Sequence, residues 1–241
     1  MTSDVQAKSA SIEQPGYWWY RARAELLRTI LQPYVGEPAR VLDVGSADGP
    51  SVDWMSGYGQ RVALDIDPSG LASGGVCGSA MALPFADESF DVVAAFDVIE
   101  HCEPEAQAVD ELVRVLRPGG RLLVSVPAYQ WAWTQFDVDA GHHRRYTRKR
   151  LERAIAAGGM TPERVTHAFA GTLPAFAAER LMRRLQRSPQ PDSATLPEVS
   201  PVVEKVLMGL CALDVRVLKR RNLPFGSSVV LAATKPAESP V

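Results

Sequence analysis

A glycine-containing loop directly after a buried apolar strand constrains the fold of this 241-residue chain more than any other feature. Arg40–Val44 is predicted as the strand, and Gly45 and Gly49 follow it before a short helix around 51–55. Glycine lets the backbone approach a ligand closely, and ligands of open α/β sheets bind beyond the carboxyl ends of the strands. The segment therefore predicts a ligand site at the first strand-to-helix turn.

Strand and helix patterns alternate through most of the chain, which predicts an α/β fold with a parallel sheet covered on both faces. The predicted strands are 40–44, 61–66, 90–96, 121–126, 163–169 and 227–234. The predicted helices are 17–31, 51–55, 104–116, 147–158, 174–187 and 201–219. Proline or glycine clusters separate them, at Pro33–Pro38, at Arg117–Gly120 and in the proline-rich loop 188–201.

Composition narrows the class of protein. Hydrophobic residues make up 46% and the net charge is −2, which favours an ordinary globular domain and argues against general nucleic-acid binding. No apolar run reaches the length of a transmembrane helix, and the N-terminus lacks a signal-peptide core. The scattered Cys77, Cys102 and Cys211 predict neither a disulfide framework nor a zinc ribbon. We therefore expect a cytoplasmic location.

The charge of the glycine loop indicates the kind of ligand. A pyrophosphate at the helix N-terminus is disfavoured by Asp43 and Asp48, whereas the sulfonium and ammonium groups of S-adenosylmethionine (SAM) suit them. Asp65 lies 20 residues beyond Gly45, where an acidic residue can accept hydrogen bonds from ribose hydroxyls. We favour Asp65 over Asp67 for this contact; the alternative is a solvated strand end or a helix cap.

Four further segments, together with the glycine loop and Asp65, form a characteristic order of motifs along the chain. They are Gly78–Phe85 (GSAMALPF), Ser89–Val93 (SFDVV), Val98–His101 (VIEH) and Leu116–Gly120 (LRPGG). Together with the glycine loop and Asp65, their order resembles that of the class I SAM-dependent methyltransferases, over residues 17–170. The resemblance implies a Rossmann-like, seven-stranded, mostly parallel sheet with helices on both faces. It also implies that 227–234 forms an antiparallel last strand after a helical insertion at 171–224.

The resemblance also implies the cofactor contacts. The glycine loop is expected to hold the methionine part of SAM, Asp65 the ribose, and the segment from Ser79 the adenine. The predicted contacts are Asp43, Gly45, Ser46, Ala47, Gly49, Asp65, Ile66, Ser79, Ala80, Met81 and Phe96. Ser79 stands where many members have aspartate, although a hydroxyl can still accept a hydrogen bond.

The aromatic segment Tyr17–Arg23 (YWWYRAR) resembles the start of a helix that covers the cofactor in a subgroup of these enzymes. Helical spacing places Arg23 on the apolar face with Trp19, while Arg21 points nearly opposite. Because an inward arginine needs an anionic partner, Arg23 is predicted to pair with the SAM carboxylate. An amphipathic core helix with a snorkelling arginine is the alternative.

Histidines and aromatic residues after the fourth and fifth predicted strands are expected to face the methyl acceptor. The predicted catalytic residues are His101, His142, His143, Arg145 and Tyr146. A histidine can act as general base and Arg145 can bind an anionic acceptor, while Trp131 and Trp133 can cover an apolar body. A hydrogen-bonded structural corner is the alternative. Adjacent histidines without an evident third ligand predict no metal site.

The insertion carries a basic helical face at Arg180, Arg183, Arg184 and Arg187, opposite apolar residues that include Leu181 and Met182. Either this helix contacts a membrane surface peripherally, or it packs on its own domain. We expect a single methyltransferase domain over 1–241, with a covering helix at 17–32, a SAM-binding core at 40–170, the insertion and a last strand at 225–236.

The function predicted from the sequence is methyl transfer from SAM to a small-molecule acceptor that is anionic or lipid-linked. Two alternatives stay open at this point. One is a protein that binds SAM as a partner or sensor without catalysis. The other is a nicotinamide-dependent oxidoreductase, which the missing third glycine of the dinucleotide fingerprint and Asp43 disfavour.

Overall fold

The computed structural model describes residues 14–45, 49–185 and 199–237. The predicted cofactor contacts Ser46 and Ala47 and the predicted loop 188–201, apart from its last three residues, lie outside these ranges. The strands are β1 Arg40–Val44, β2 Gln60–Asp65, β3 Val76–Cys77, β4 Phe90–Phe96, β5 Leu116–Pro127, β6 Thr161–Ala168 and β7 Ser228–Thr234. The helices are α1 Trp18–Val35, α2 Glu105–Arg114, α3 Gln135–Asp139, α4 Arg148–Ala157, α5 Leu173–Leu185 and α6 Pro201–Leu218. Short 3₁₀ turns lie at Pro50–Met55, Pro68–Gly70, Ile99–His101 and Gln130–Ala132.

The strands form one sheet in the order β3-β2-β1-β4-β5-β7-β6. Strand β7 runs antiparallel to both of its neighbours, with Val124 opposite Leu231 and Val165 opposite the same residue. The other six strands are parallel, so their carboxyl ends share one edge of the sheet. This confirms the predicted Rossmann-like α/β fold with an antiparallel last strand, and it defines the edge where a ligand binds.

Two apolar layers cover the sheet. Leu112 of α2 and Ile155 of α4 belong to the layer on one face. Ile30 of α1 and Cys211 of α6 belong to the layer on the other face. All four side chains are almost fully buried, and each large one removed from water stabilises the fold by about 1.5–3 kcal/mol. The helices are therefore held on both faces, which fixes the sheet edge.

Two predicted chain breaks are wrong in detail. Helix α1 runs through Pro33 to Val35 and ends at Gly36, whose φ is +65°. Proline in the last turn disturbs little of the remaining helix, and Val35 is buried by the continuation. Strand β5 begins at Leu116, so the segment from Arg117 to Gly120 is an irregular start of the strand instead of a separate turn.

Strand β3, which the pattern of apolar residues did not predict, completes the seven. It has two residues and pairs with the end of β2, with Cys77 opposite Asp65. Two residues carry no periodicity, which explains why the pattern does not reveal it. Its place at the edge of the sheet brings the following segment, Gly78–Phe85, beside the carboxyl end of β2: the Gly78 N–H donates to the Asp65 carbonyl at 2.9 Å.

Candidate active site

Gly45 makes the first turn at the carboxyl edge. Its φ is +76°, a conformation that residues with a side chain rarely adopt, and its N–H donates to the Leu64 carbonyl at 2.7 Å. A Cβ at this position would lie 2.5 Å from Cγ2 of Val98. The turn after β1 is therefore packed against the turn after β4. Gly49, the second predicted glycine of the loop, is buried at the start of the 3₁₀ turn 50–55.

Three carboxylates lie on β1 or at the end of β2, each with different hydrogen-bond partners. Asp43 is fully buried in β1 and pairs with Arg61, whose Nη2 lies 3.0 Å from Oδ2 of Asp43. Asp65 ends β2, is partly exposed, and accepts the Asp67 N–H at 2.9 Å. Asp67 is also partly exposed and accepts both the N–H and the hydroxyl of Ser69. The ion pair with Arg61 gives Asp43 an internal partner that the sequence analysis did not foresee.

The predicted adenine segment forms a tight turn. The Ser79 hydroxyl accepts the Met81 N–H at 3.2 Å, and the Met81 carbonyl accepts from Nε2 of Gln107 at 2.9 Å. Ala80 and Met81 are partly buried against the core. Of the remaining predicted contacts, Ile66 is 76% exposed at the end of β2, whereas Phe96 is buried in the layer beneath α1. Their contacts with a cofactor stay predictions.

Helix α1 crosses the same edge through Arg23. The Arg23 side chain is buried, and its Nη2 lies 2.8 Å from Oδ2 of Asp97 and 2.9 Å from the Ser125 hydroxyl. Its guanidinium also lies over the Trp19 ring, 5.3 Å from the centroid. Arg21 faces the other way and pairs with Glu204 at the surface. The prediction that Arg23 points inward is therefore confirmed, but its anionic partner in the structure is Asp97.

Asp97 is a site residue that sequence reasoning missed. It follows β4 directly, and its φ of +59° is uncommon for a residue with a side chain. Its Oδ1 accepts from the Ser125 hydroxyl at 3.1 Å, so Asp97 joins α1, β4 and β5. Its position in the sequence could have identified it, because a polar residue at the carboxyl end of a parallel strand faces the ligand edge.

The predicted catalytic residues His101 and His142 meet at this edge. Their rings are 4.6 Å apart and nearly perpendicular. Glu100, the neighbour of His101 in the 3₁₀ turn after β4, is fully buried beside them. Burial, followed by the charge of Asp97, raises the pKa of Glu100 well above its ordinary value. Desolvation, followed by His142, lowers the pKa of His101. The imidazole of His101 is therefore neutral at pH 7.

Asp137 of α3 orients His142 and was missing from the sequence analysis. It is fully buried, and its Oδ1 lies 2.9 Å from Nδ1 of His142 and 2.7 Å from both Nε and Nη2 of Arg145. Its Oδ2 accepts the Thr134 N–H at 2.9 Å. Burial opposes ionisation, but His142, Arg145 and the Thr134 N–H outweigh it and lower the pKa of Asp137 to about 2. The carboxylate is thus charged and fixed.

These contacts correct the role predicted for Arg145. Its guanidinium is buried, donates to Asp137 and lies 3.3 Å from the Ala128 carbonyl. A fork that is already occupied inside the protein is not available to clamp an anionic acceptor. Tyr146 is also committed: it is fully buried, and its hydroxyl donates to Glu105 at 2.6 Å. Burial, followed by Glu105, raises the pKa of Tyr146, which makes it a poor general base.

The remaining parts of the block from His142 to Tyr146 build a structural corner. The exposed His143 uses its N–H to bond the Glu100 carbonyl at 2.8 Å, which ties the block to the turn after β4. Arg144 is buried and donates to the Cys102 carbonyl at 2.7 Å. The corner alternative therefore describes Arg144, Arg145 and Tyr146, whereas His142 projects from it toward His101. Glu100, His101 and His142 offer ligand atoms within 4.8 Å of one another, a grouping that the sequence pattern does not reveal, while the absence of a metal site stays a prediction.

Aromatic side chains follow β5 along the same edge. Tyr129 stacks on Trp131 at 5.7 Å and on His167 of β6 at 5.3 Å. Trp131 is 45% exposed, and Trp133 is partly buried. Burial lowers the pKa of His167, so its ring is a neutral part of this stack. The aromatic edge (Tyr129, Trp131 and His167) thus presents one open indole beside the carboxyl ends of β5 and β6.

Helix α5 packs on its domain with the face opposite to the one that the domain-packing alternative predicts. Arg180 is buried, its Nη1 donates to the Thr134 hydroxyl at 2.7 Å, and Phe176 lies against its guanidinium. Leu181 and Met182, expected on the packed face, are 58% and 56% exposed. Tertiary contacts explain this orientation, because Arg180 binds the Thr134 hydroxyl next to α3 and contacts the ring of Phe176. Burial lowers its pKa to about 10.

Among the described residues, no helix has both the length and the apolar content needed to cross a bilayer. A cytoplasmic location, peripheral membrane contact and the absence of nucleic acid among the partners stay predictions.

The arrangement is that of a Rossmann-like fold with its ligand edge at the carboxyl ends of β1, β2 and β4. Residues 42–124 match the family model described as a methyltransferase domain. A demethylmenaquinone methyltransferase of Mycobacterium tuberculosis is 30% identical over 167 residues, which cover 66% of this chain and 67% of the relative. The malonyl-[acyl-carrier protein] O-methyltransferase of Methylococcus capsulatus is 32% identical over 148 residues, 53% of this chain and 54% of the relative.

A solved SAM-dependent methyltransferase from Archaeoglobus fulgidus has the same fold, with a TM-score of 0.57 and 17% identity over 92% of this chain and 96% of that one. The chain spans 27%, 46% and 54% of the length of three curated relatives that it matches. It belongs to the class I SAM-dependent methyltransferases. SAM is the cofactor that this membership defines, and the relatives named above are enzymes.

Proposed function

We propose that this protein transfers the methyl group of SAM to a nucleophilic oxygen of a small molecule with an apolar body. One observation carries the proposal. The turn that begins at Gly45 packs against Val98, and His101 follows Val98 within the same short turn after β4. A cofactor seated on the glycine loop therefore has the pair of His101 and His142 as its neighbour along the edge. Family membership supports the donor half of this proposal.

The proposed cofactor seat follows the strand ends. The loop from Gly45 through Ser46 and Ala47 to Gly49 holds the methionine part, and Asp65 accepts hydrogen bonds from the ribose hydroxyls. The turn from Ser79 to Met81 faces the adenine. Its backbone is already held by the Ser79 hydroxyl and by Gln107, so it needs little further ordering on binding.

The proposed acceptor lies between the two histidines and the aromatic edge. The exposed indole of Trp131 and the half-exposed Phe136 offer apolar surface to a ring or an aliphatic body. Two relatives agree with an apolar or carrier-bound acceptor, since their names specify demethylmenaquinone and a malonyl group on acyl-carrier protein. An anionic group on the acceptor would need a partner other than Arg145, which Asp137 occupies.

For methyl transfer, the main task of the protein is to align the acceptor oxygen with the methyl group of SAM. The methyl carbon is attacked in line by the acceptor oxygen, while the carbon–sulfur bond breaks and its electron pair stays on the sulfur. A hydroxyl acceptor must also lose its proton. His101 and His142 are the residues placed to assist, whereas the exposed His143 serves the corner through its backbone N–H.

Calorimetry and turnover test this function separately. We expect SAM and S-adenosylhomocysteine to bind with one site per chain, and NAD to give no heat. Production of S-adenosylhomocysteine would then be followed with a panel of hydroquinones, catechols and malonyl thioesters. Turnover with a hydroxylated ring supports the proposal. Binding of SAM with no turnover across the panel contradicts it and favours the non-catalytic alternative, and binding of NAD alone contradicts the methyltransferase assignment as a whole.

A further inference from the structure

Glu100, His101 and His142 form a compact set of donor atoms at the carboxyl edge. One atom from each, a carboxylate oxygen or a ring nitrogen, lies within 4.8 Å of the other two. Glu100 and His101 come from the turn after β4, and His142 comes from the loop after α3. The bond from the His143 N–H to the Glu100 carbonyl fixes the distance between the two segments. This backbone bond thus joins the two segments that carry the three side chains.

The carboxylate of Glu100 lacks a partner. It is fully buried, and neither oxygen accepts a hydrogen bond from a side chain or a neighbouring residue in the described ranges 14–45, 49–185 and 199–237. Burial of an ionised carboxylate without a partner costs several kcal/mol, so such a group needs either a proton or a cation. The other two members of the set, His101 and His142, can each present a ring-nitrogen lone pair to a cation.

His142 is held in the way that metal-binding histidines usually are. Its Nδ1 lies 2.9 Å from Oδ1 of Asp137, and the carboxylate is itself fixed by Arg145 and by the Thr134 N–H. A charged carboxylate at Nδ1 places the ring proton there and leaves the Nε2 lone pair free. Metal-ligating histidines almost always donate their other nitrogen to such a carboxylate, which orients the ring and raises its basicity.

We propose that Glu100, His101 and His142 bind a divalent first-row transition cation, and that this cation holds the acceptor oxygen beside the methyl donor. The second half rests on the proposed function. Two imidazoles and one carboxylate favour ions such as Mn²⁺, Fe²⁺, Co²⁺ or Zn²⁺ over Mg²⁺ and Ca²⁺. Three protein ligands leave coordination positions open, and the exposed His101 places one member of the set at the surface.

The cation would also explain how the acceptor hydroxyl loses its proton. A hydroxyl bound to a divalent ion has a lowered pKa, so it releases its proton to solvent before the transfer. The oxygen then forms the bond to the methyl carbon, the carbon–sulfur bond breaks, and S-adenosylhomocysteine leaves with the electron pair on sulfur. No oxidant or reductant takes part. In this scheme the two histidines are ligands, so neither has to act as the general base.

Cobalt titration of the chelator-treated full chain tests the cation site directly. We expect visible absorption bands that saturate at one Co²⁺ per chain and persist in millimolar Mg²⁺. Glu100→Gln, His101→Ala and His142→Ala should each weaken Co²⁺ binding by at least about tenfold. His143→Ala removes an adjacent imidazole outside the set, so its cobalt affinity should equal that of the parent. Circular dichroism and thermal unfolding establish that each variant is folded.

Glu100→Gln is the most informative variant because it keeps the shape of the side chain and removes the charge. If Glu100 is a buried acid without a metal role, Glu100→Gln keeps the cobalt affinity of the parent, which overturns the proposal. Absence of saturable Co²⁺ binding to the parent chain also overturns it, as does binding that none of the three variants weakens.

Two further measurements separate the cation site from the proposed function. Acetohydroxamate, a small ligand with two oxygen donors, should shift the cobalt spectrum if coordination positions are open; an unchanged spectrum overturns the role in holding the acceptor. S-adenosylhomocysteine is titrated calorimetrically into the cobalt-free chain. If it fails to bind while Co²⁺ binds at the three residues, the methyl-transfer function is contradicted and the cation site is supported.

Discussion

The guanidinium of Arg23 in α1 and the carboxylate of Asp97 at the end of β4 form an ion pair, with 2.8 Å between Nη2 and Oδ2. The arginine is buried, whereas about a third of the Asp97 side chain is exposed at the ligand edge. The pair therefore connects the covering helix to the strand whose following turn carries His101. Through the Ser125 hydroxyl it also reaches β5.

Replacement of Arg23 by methionine should destabilise the protein by about 2 kcal/mol. Methionine preserves most of the apolar stem, so the loss reflects the missing charge and the hydrogen bonds to Asp97 and Ser125. Urea unfolding followed by circular dichroism measures the change. Arg21→Met is the matched control on the same helix: its pair with Glu204 is exposed, so it should change stability by less than about 0.5 kcal/mol. Equal losses in the two variants would contradict a special role for the inner pair.

Alanine at Gly45 should lower stability more than alanine at Gly57. Both glycines have positive φ values, so each variant incurs about 1–2 kcal/mol of backbone strain. Only at Gly45 does the new Cβ meet another atom, Cγ2 of Val98 at 2.5 Å, whereas Gly57 has open space around it. Urea unfolding should show an additional loss of at least about 1 kcal/mol for Gly45→Ala.

A double variant isolates the clash from the strain. Val98→Ala removes the methyl group that the new Cβ would meet, so the loss in the Gly45→Ala, Val98→Ala variant should be smaller than the sum of the single losses. Additive losses would show that the turns after β1 and β4 are not in contact in solution. S-adenosylhomocysteine binding should remain weak in the double variant, since the loop conformation is still strained.

Most of the fold was predictable because its strands are apolar runs in a regular alternation with helices. The antiparallel last strand followed from the family resemblance, and its pairing with β5 and β6 agrees. By contrast, β3 has only two residues, and the irregular start of β5 depends on pairing with Phe90 and Lys235 across the sheet. Such features depend on neighbours that are distant in sequence, so local patterns do not reveal them.

The position of a site residue was predictable where helical spacing or the end of a strand determines the direction of its side chain. The inward direction of Arg23 followed from its spacing to Trp19, and the meeting of His101 with His142 agrees with their positions after β4 and β5. Asp137 was not predictable, because a buried aspartate in a five-residue helix gives no pattern until its partners are known. The burial of Arg180 was not predictable for the same reason. Its hydrogen bond to Thr134 and its contact with Phe176 place it on the packed face of the helix, although the helical spacing predicts a solvent-exposed face.

The stability of the protein should depend on pH through Asp91, whose carboxylate accepts the N–H groups of Ala39 and Arg40 where β1 begins. Burial opposes ionisation of Asp91, but the Arg40 N–H, Arg117 and the Ala39 N–H outweigh it and lower its pKa below the ordinary value of 3.8. The unfolded chain therefore takes up the proton at higher pH than the folded chain does. The resulting stabilisation is fully present above the ordinary pKa and is lost as the pH falls through the folded one.

The measurement compares the parent with Asp91→Asn, which keeps the shape and removes the charge. The difference in unfolding free energy should be constant between about pH 5 and pH 7 and should shrink below about pH 4. A difference that stays constant down to pH 3, or that grows as the pH falls, would contradict the depressed pKa of Asp91.

Asp65→Ala should weaken the binding of S-adenosylhomocysteine by about 1–3 kcal/mol, which is roughly 5- to 150-fold in Kd. The reason is the loss of a charged acceptor at the end of β2, where the ribose hydroxyls of the cofactor are expected. Isothermal titration calorimetry with the purified chain measures the affinity. Asp67→Ala is the matched control two residues away, because the Asp67 carboxylate accepts both the N–H and the hydroxyl of Ser69 in its own turn.

The order of the two effects decides the assignment. Asp65 already accepts the Asp67 N–H, so its removal also loosens the turn, and thermal unfolding of both variants is needed to separate folding from binding. We expect Asp65→Ala to stay folded at 25 °C and to lose affinity, while Asp67→Ala keeps the affinity of the parent within about twofold. If Asp67→Ala loses more affinity than Asp65→Ala, the ribose contact belongs to the other carboxylate.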